Sequence, residues 1–316
     1  MRLTKVTFCF IFLFLFQIFL TAQQTKFTVI AVSGEVSLRI SANDNFRPIV
    51  TGSKISEGDI KLSGNAYLAI INASGKSFEL KKEGIYQTAD IEKMILQNNV
   101  SSSSKLVNYL ADKITSTASN FKEMKLLGAV VRAKLNTIEL ASPTDSRVFD
   151  TTVTFCWFSF KGTKNYIFRL INSHNHTVYM QEIKDTVFVL NLQELNLEKS
   201  TRYKWFLYTS GDEKVRSDTA GFLVIDDLQK RFLYDSLSTV INDQEASSSA
   251  IGAILTARFF EENKFQYEAD KYYYRAVFLA PSVKEYSLNY VNFLVGAGME
   301  RKAIIVLNQF HKEQSK

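Results

Sequence analysis

The chain has 316 residues, 46% of them hydrophobic, with 25 Phe and 14 Tyr; on length that is about two domains with real cores, and it excludes a disordered chain. The net charge is +6, but the basic residues are scattered and form no run interleaved with aromatics, which argues against nucleic-acid binding. Of the two cysteines one, Cys9, lies in the first apolar run, so the remainder holds a single thiol, Cys156, too few for an internal disulfide or a zinc cluster.

Arg2 and Lys5 form a short basic head, Val6 to Leu20 is almost wholly apolar, and Leu20-Thr21-Ala22 supplies a small-residue exit before Gln23. This is the pattern of a secretory signal peptide over residues 1–22. The rival, an uncleaved anchor, needs about 20 apolar residues, more than the run holds. Cleavage predicts a mature chain from Gln23 without a membrane span. Of the 38 Lys and Arg, the 36 outside the leader against 32 acids leave it at a mild +4.

Residues 27–88 read as short strands between glycine turns. Phe27 to Leu38 alternates over much of its length, followed by Ile49-Val50-Thr51-Gly52, Lys54 to Ile60, Tyr67 to Ile71 and Ser77 to Leu80. Gly52, Gly58, Gly64, Gly75 and Gly84 punctuate them and can take the positive φ that tight turns need. Many short strands predict a small barrel or β-roll. The order Val32-x-Gly34-x-Val36, Gly52-x-x-Ile55-x-x-Gly58-Asp59-x-Ile60, Tyr67-Leu68-Ala69-Ile70 and Gly75 resembles the FecR-type periplasmic β-domain. That resemblance covers about a fifth of the chain. FecR proteins also carry an inner-membrane helix and a cytoplasmic segment acting on a sigma factor, which are not found here. It therefore implies an exported β-module, in the periplasm or on the surface of a bacterium, and not iron-citrate signalling.

Residues 89–137 form a helical connector. The serine run Ser101 to Ser104 precedes Leu106, Leu110, Ile114, Ala118 and Phe121, the spacing of one amphipathic helix with Ser104 or a neighbour as its N-cap. The expectation is that it packs against the β-module.

Residues 138–225 return to strands. A leading strand near Ile138 to Leu140 is followed by Val153–Trp157, Tyr166–Ile171, Thr177–Met180, Thr186–Leu190, Arg202–Tyr208 and Gly221–Val224, about seven in all. Ser142-Pro143, Trp157 in an early strand, and Leu197 ahead of Tyr203-x-Trp205 resemble a fibronectin type III-like or related Ig-like sandwich. The resemblance implies that the Tyr203 hydroxyl caps a loop and that Trp157 and Trp205 face each other across a core. Stacking of a carbohydrate on either tryptophan is the alternative.

Residues 226–316 are helical and carry an internal period. Phe260, Ala269, Tyr273 and Ala276 are followed 34 residues later by Leu294, Ala303, Leu307 and Phe310. That is the tetratricopeptide period, and the register resembles that family. Pro281 ends one helix and Gly298 makes a turn. Ala253, Phe265 and Phe310 depart from the family's pattern. Two units bury little alone, so a helix over about Asp227 to Ile241 is expected as a third layer.

The chemistry-bearing residues are few. His174-Asn175-His176 could share a metal across alternate strand positions, but the sequence offers no third ligand, and Asn-rich residues between apolar strands predict a hairpin turn. Asp226-Asp227 and Glu261-Glu262 are neighbours on helix ends and read as solvated or dipole-compensating. No nucleophile elbow, phosphate loop or His-Glu-x-x-His helix is present, so the expectation is a non-enzymatic protein without cofactor or metal. It is an envelope scaffold or adaptor holding protein partners through its helical repeats. The candidate contacts are Lys284, Ser287 and Asn292, on a helix expected to line the concave face. The alternative is a glycan or peptidoglycan binder acting through the β-modules. On a plainer reading, the helices only cap the sandwich.

Overall fold

The computed structural model describes residues 25–97, 104–119, 137–160, 162–241 and 248–315; the expected leader, the run Ser101 to Ser103 and Phe121 lie outside them. Antiparallel sheets come first and helices dominate the C-terminal part. No helix among the described residues is long and apolar enough to cross a membrane.

The N-terminal module has eight strands: β1 (Phe27–Ser33), β2 (Val36–Arg39), β3 (Arg47–Pro48), β4 (Lys54–Ile55), β5 (Asp59–Leu62), β6 (Tyr67–Asn72), β7 (Ser77–Leu80) and β8 (Gly84–Gln87). They form two four-stranded sheets, β4-β1-β6-β7 and β3-β2-β5-β8. Ile49 to Gly52, expected as a strand, is instead extended chain and turn after β3. Gly58 has φ +128°, and a Cβ there would lie 2.3 Å from the Arg39 carbonyl oxygen. Only glycine fits that close approach.

The apolar run in β6 has a definite cause. Leu68 and Ile70 point into the module's own core with Val29, Ile60 and Leu62. Tyr67, Ala69 and Ile71 point the other way, into a core shared with the C-terminal helices. A strand covered on both faces loses the polar half of its alternation.

The connector holds two described helices rather than one, α1 (Thr88–Gln97) and α2 (Ser104–Ser119). α1 inserts Ile91 and Ile95 into the module's core. α2 buries Val107, Leu110, Ala111 and Ile114, and its main partners are the C-terminal helices, with β1 a lesser one. The expected packing of α2 on the β-module is thus found only in part, through β1: its stripe chiefly faces the larger apolar surface that the helices offer.

The second β-module has nine described strands where about seven were expected: β9 (Leu140–Ser142), β10 (Ser146–Val148), β11 (Thr152–Trp157), β12 (Tyr166–Ile171), β13 (Thr177–Ile183), β14 (Val187–Asn191), β15 (Thr201–Thr209), β16 (Asp212–Arg216) and β17 (Ala220–Val224). The sheet β14-β11-β9 and the sheet β10-β17-β15-β12-β13, with β16 on β15, enclose one core. β10 pairs parallel to β17. Trp205 is fully buried, stacks on Phe168 and meets Phe155 edge-on. Trp157 meets Tyr166 edge-on. Both tryptophans are core residues, each packed through these rings. Tyr203 Oη accepts the Glu198 amide at 2.8 Å, closing the loop ahead of β15.

Five described helices follow: α3 (Asp227–Ser238), α4 (Ala250–Glu262), α5 (Gln266–Leu279), α6 (Lys284–Gly296) and α7 (Glu300–Gln314). α4 and α6 begin and end 34 residues apart, and α5 and α7 begin 34 apart. Ala269, Ala276 and Ala303 are wholly buried, which lets paired helices approach closely. α3 stops at Ser238, and Leu233, Leu237, Val240 and Ile241 join the helical core. Its N-cap is Asp226, which accepts the Gln229 amide; that bond, with one from Ser200, holds the carboxyl below its usual range.

Candidate functional site

The face of α4 and α6 that meets α2 carries a buried polar chain. Arg258, 5% exposed, donates from Nη1 to Glu261 at 2.8 Å and from Nη2 to Asn289 Oδ1 at 2.8 Å and Thr117 Oγ1 at 3.0 Å. Asn289, wholly buried, donates from Nδ2 to the Glu285 carbonyl at 2.8 Å and to the Ile114 carbonyl at 2.9 Å. Thr117 and Ile114 belong to α2, and Tyr109 of α2 donates to Glu262 at 2.9 Å. Glu261 also accepts the Tyr273 hydroxyl. Burial raises the Glu261 carboxyl, opposed by the Arg258 charge. The reading of Glu261 is therefore corrected: it is half-buried and bonded to Arg258 and to Tyr273 of α5, whereas Glu262 stays exposed as expected and accepts Tyr109 at the surface.

Of the predicted contacts, Lys284 and Asn292 are exposed on α6. Ser287 is wholly buried in the helical core and is closed to any partner in this structure. Sequence reasoning missed Arg258 and Asn289. The signal was present: two polar residues inside otherwise apolar helices, at positions where burial demands partners.

Towards the N-terminal module the same helices continue. Tyr67 and Tyr286 share a hydrogen bond at 2.8 Å, Tyr67 also donates to Glu79 at 2.8 Å, and Glu79 accepts the Ile251 amide at 2.6 Å. Burial raises both phenols far above their usual value, so these tyrosines stay neutral donors.

Towards the sandwich the contact is different. Tyr267 Oη accepts the Thr154 amide at 2.9 Å, and the Tyr267 amide donates to Ser146 Oγ at 3.0 Å. Glu268, 1% exposed, accepts the Phe149 and Asp150 amides at 2.6 and 3.1 Å. Desolvation outweighs those two bonds and raises its carboxyl to about 8. Lys271 pairs with Asp150 at the rim.

Beside this joint lies an open cleft of about 980 Å³ between the sheet β14-β11-β9 and helices α5 and α7. Thr154, Cys156, Val187, Tyr274, Lys302 and Asp270 are among its walls. Its charges are matched: Lys302 binds Asp270 at 2.7 Å, and Lys271 binds Asp150. Burial raises the Cys156 thiol, which keeps it protonated and poorly nucleophilic. Tyr274 is 59% exposed there.

His174 and His176 sit at the β12–β13 hairpin, where Asn175 takes φ +63° and the Asn172 carboxamide accepts both histidine amides at 3.0 Å. Among the described residues no three His, Cys, Asp or Glu side chains gather as a metal ion would require.

No family model matches the chain, and no curated protein matches it. Among solved structures the chain is similar to one described as "Biofilm associated protein - BSP domain", at 13% identity and a TM-score of 0.21. The match covers 65% of this chain and 28% of that one, so this chain spans under a third of that structure's length. A likeness of that depth does not define a shared fold.

Proposed function

We propose that the protein is an exported, non-enzymatic scaffold of a bacterial cell envelope that holds protein partners through its helical half. In this reading the N-terminal module is FecR-like, the sandwich is Ig-like, and α4 to α7 are tetratricopeptide-like. The glycine-bound turns at Gly34 and Gly58, the Tyr203 loop closure and the 34-residue helix period support those three likenesses in turn. The observation that carries the function is α2 lying along α4 and α6: their face is built to hold a polypeptide segment by apolar contact and buried hydrogen bonds.

The test is capture of envelope proteins by residues 23–316. Capture that is lost in the double variant Lys284→Glu, Asn292→Lys, at unchanged melting temperature, supports the reading. Equal capture by both proteins takes Lys284 and Asn292 out of the contact, and no capture by the wild type removes the reading.

A second reading, a glycan bound at the sandwich, is favoured by the cleft. A neutral sugar prefers an exposed aromatic ring beside donors and acceptors that carry no net charge, and Tyr274 with the two ion pairs offers that. Retention on envelope polysaccharide that falls in Tyr274→Ala supports it. No retention of the wild type excludes it.

A further inference from the structure

The groove that α2 fills has properties of a site and not merely of a core. The apolar stripe of α2, Val107, Leu110, Ala111 and Ile114, follows i, i+3, i+4, i+7 spacing and is buried. Its opposite face, with Asn108, Asp112, Lys113 and Ser116, is exposed. α2 thus meets the helices as a single amphipathic helix laid in a groove.

The polar grip comes chiefly from the groove, and it is organised without help from α2. Asn289 is oriented by the Glu285 carbonyl and by Arg258, and Arg258 is fixed by Glu261. What Asn289 then holds on α2 is the backbone carbonyl of Ile114, a group that every helix presents. What Arg258 holds is one side-chain hydroxyl, on Thr117. Recognition of this kind asks for an aliphatic stripe and one oxygen acceptor three residues beyond it, and otherwise tolerates sequence.

α2 itself is a modest occupant. Its last turn carries Thr115, Ser116 and Thr117, residues of low helix propensity. The Thr115 and Ser116 hydroxyls bond back to carbonyls of their own helix, at Ala111, Asp112 and Lys113, a habit that weakens helices. The buried Arg258 Nε meets no acceptor among the described residues.

We infer that the inner face of α4 and α6 is a binding surface for an amphipathic helix, that α2 is its resident occupant, and that a partner's helix of the same pattern replaces it. The inference rests on the protein-partner reading above and deepens it by naming the partner's form.

The probe is a labelled, end-capped peptide of residues 104–119, added to residues 23–316. Wild-type protein should bind it weakly, because the resident α2 competes at high effective concentration. Leu110→Ala with Ile114→Ala in the protein should raise affinity at least tenfold, and Asn289→Ala added to that pair should remove the gain. A peptide with Thr117→Val should bind several-fold more weakly. No binding to the weakened protein, or binding indifferent to Asn289→Ala, overturns the inference.

Hydrogen exchange on the wild type decides the matter if the weakened protein does not fold. Amides of α2 should open before those of α4 and α6; opening only together with them makes α2 permanent core and overturns the inference. Peptide exchange without capture of any envelope protein would remove the adaptor reading and leave the helix site standing. Capture without peptide exchange would do the reverse.

Discussion

The two β-modules join the helices to very different extents. The N-terminal module has no closed boundary on that side: Ile30, Ala31, Tyr67, Ala69 and Ile71 belong to the same apolar core as α4 to α7. The sandwich closes its own core around Phe155, Phe168, Trp205 and Phe222, and among the described residues Tyr267 of α5 reaches into it from the C-terminal helices. Its attachment is mixed: polar bonds through Ser146, Thr154, Glu268 and the Asp150–Lys271 pair surround a small apolar contact in which Phe149 meets Phe260 and Leu223 packs on the helical core. Apolar contact is non-directional and grows with area, so a shared core makes two modules one cooperative unit. Directional polar bonds around a small apolar contact fix the angle of the sandwich, and the module should unfold separately from the shared core.

The largest effects should expose that contrast. Trp205→Ala and Tyr286→Ala should each cost about 3–5 kcal/mol. Hydrogen exchange read by module separates them. Trp205→Ala should deprotect residues 140–224 alone. Tyr286→Ala should deprotect the N-terminal strands and the helices together. Loss of protection throughout the chain in Trp205→Ala would show that the joint couples the modules after all.

The joint should also respond to pH. Glu268 is raised to about 8 in the folded chain by burial, against a little over 4 when unfolded. A carboxyl raised on folding favours the folded state fully below its unfolded value. That contribution is lost as pH rises from about 4.5 through 8, by on the order of a few kcal/mol. Melting followed between pH 5 and 9 should show the docking of the sandwich weakening with pH. Glu268→Gln keeps an acceptor for the Phe149 and Asp150 amides and should flatten the dependence. An unchanged slope in that variant would assign it to another group.

Asn289→Ala should cost about 1–3 kcal/mol, since it strips Arg258 of a buried partner, and should speed exchange in α2 and the adjoining helices without touching the sandwich. The smallest expected effect is Tyr203→Phe, which leaves the Glu198 amide without its acceptor. That amide can turn to water, so about 0.5–1.5 kcal/mol is expected, confined to the sandwich by the same exchange measurement.

Periodicity made much of the molecule legible in advance. Short apolar runs between turn residues located most strands of both β-modules, the 34-residue spacing located α4 to α7, and the stripe from Leu106 to Ala118 located α2. These are local patterns, set by how each element turns its side chains. The additional strands β10 and β16, short and mixed in composition, carry no such pattern.

What the sequence by itself determined is therefore the kind and order of the elements and which side of each is apolar. It could not say what that side would meet. Leu110 and Ile114 needed an apolar surface, and the face of α4 and α6 supplied it where the β-module was expected to. Ser287 looked as available as Lys284 until the helices enclosed it. Arg258 and Asn289 lie 31 positions apart and beyond 140 from the α2 residues they hold. Apolar surface is interchangeable and a hydrogen bond needs its partner within about 3 Å. Only the tertiary structure chooses among equivalent surfaces, and only after that choice do distant polar groups come within reach.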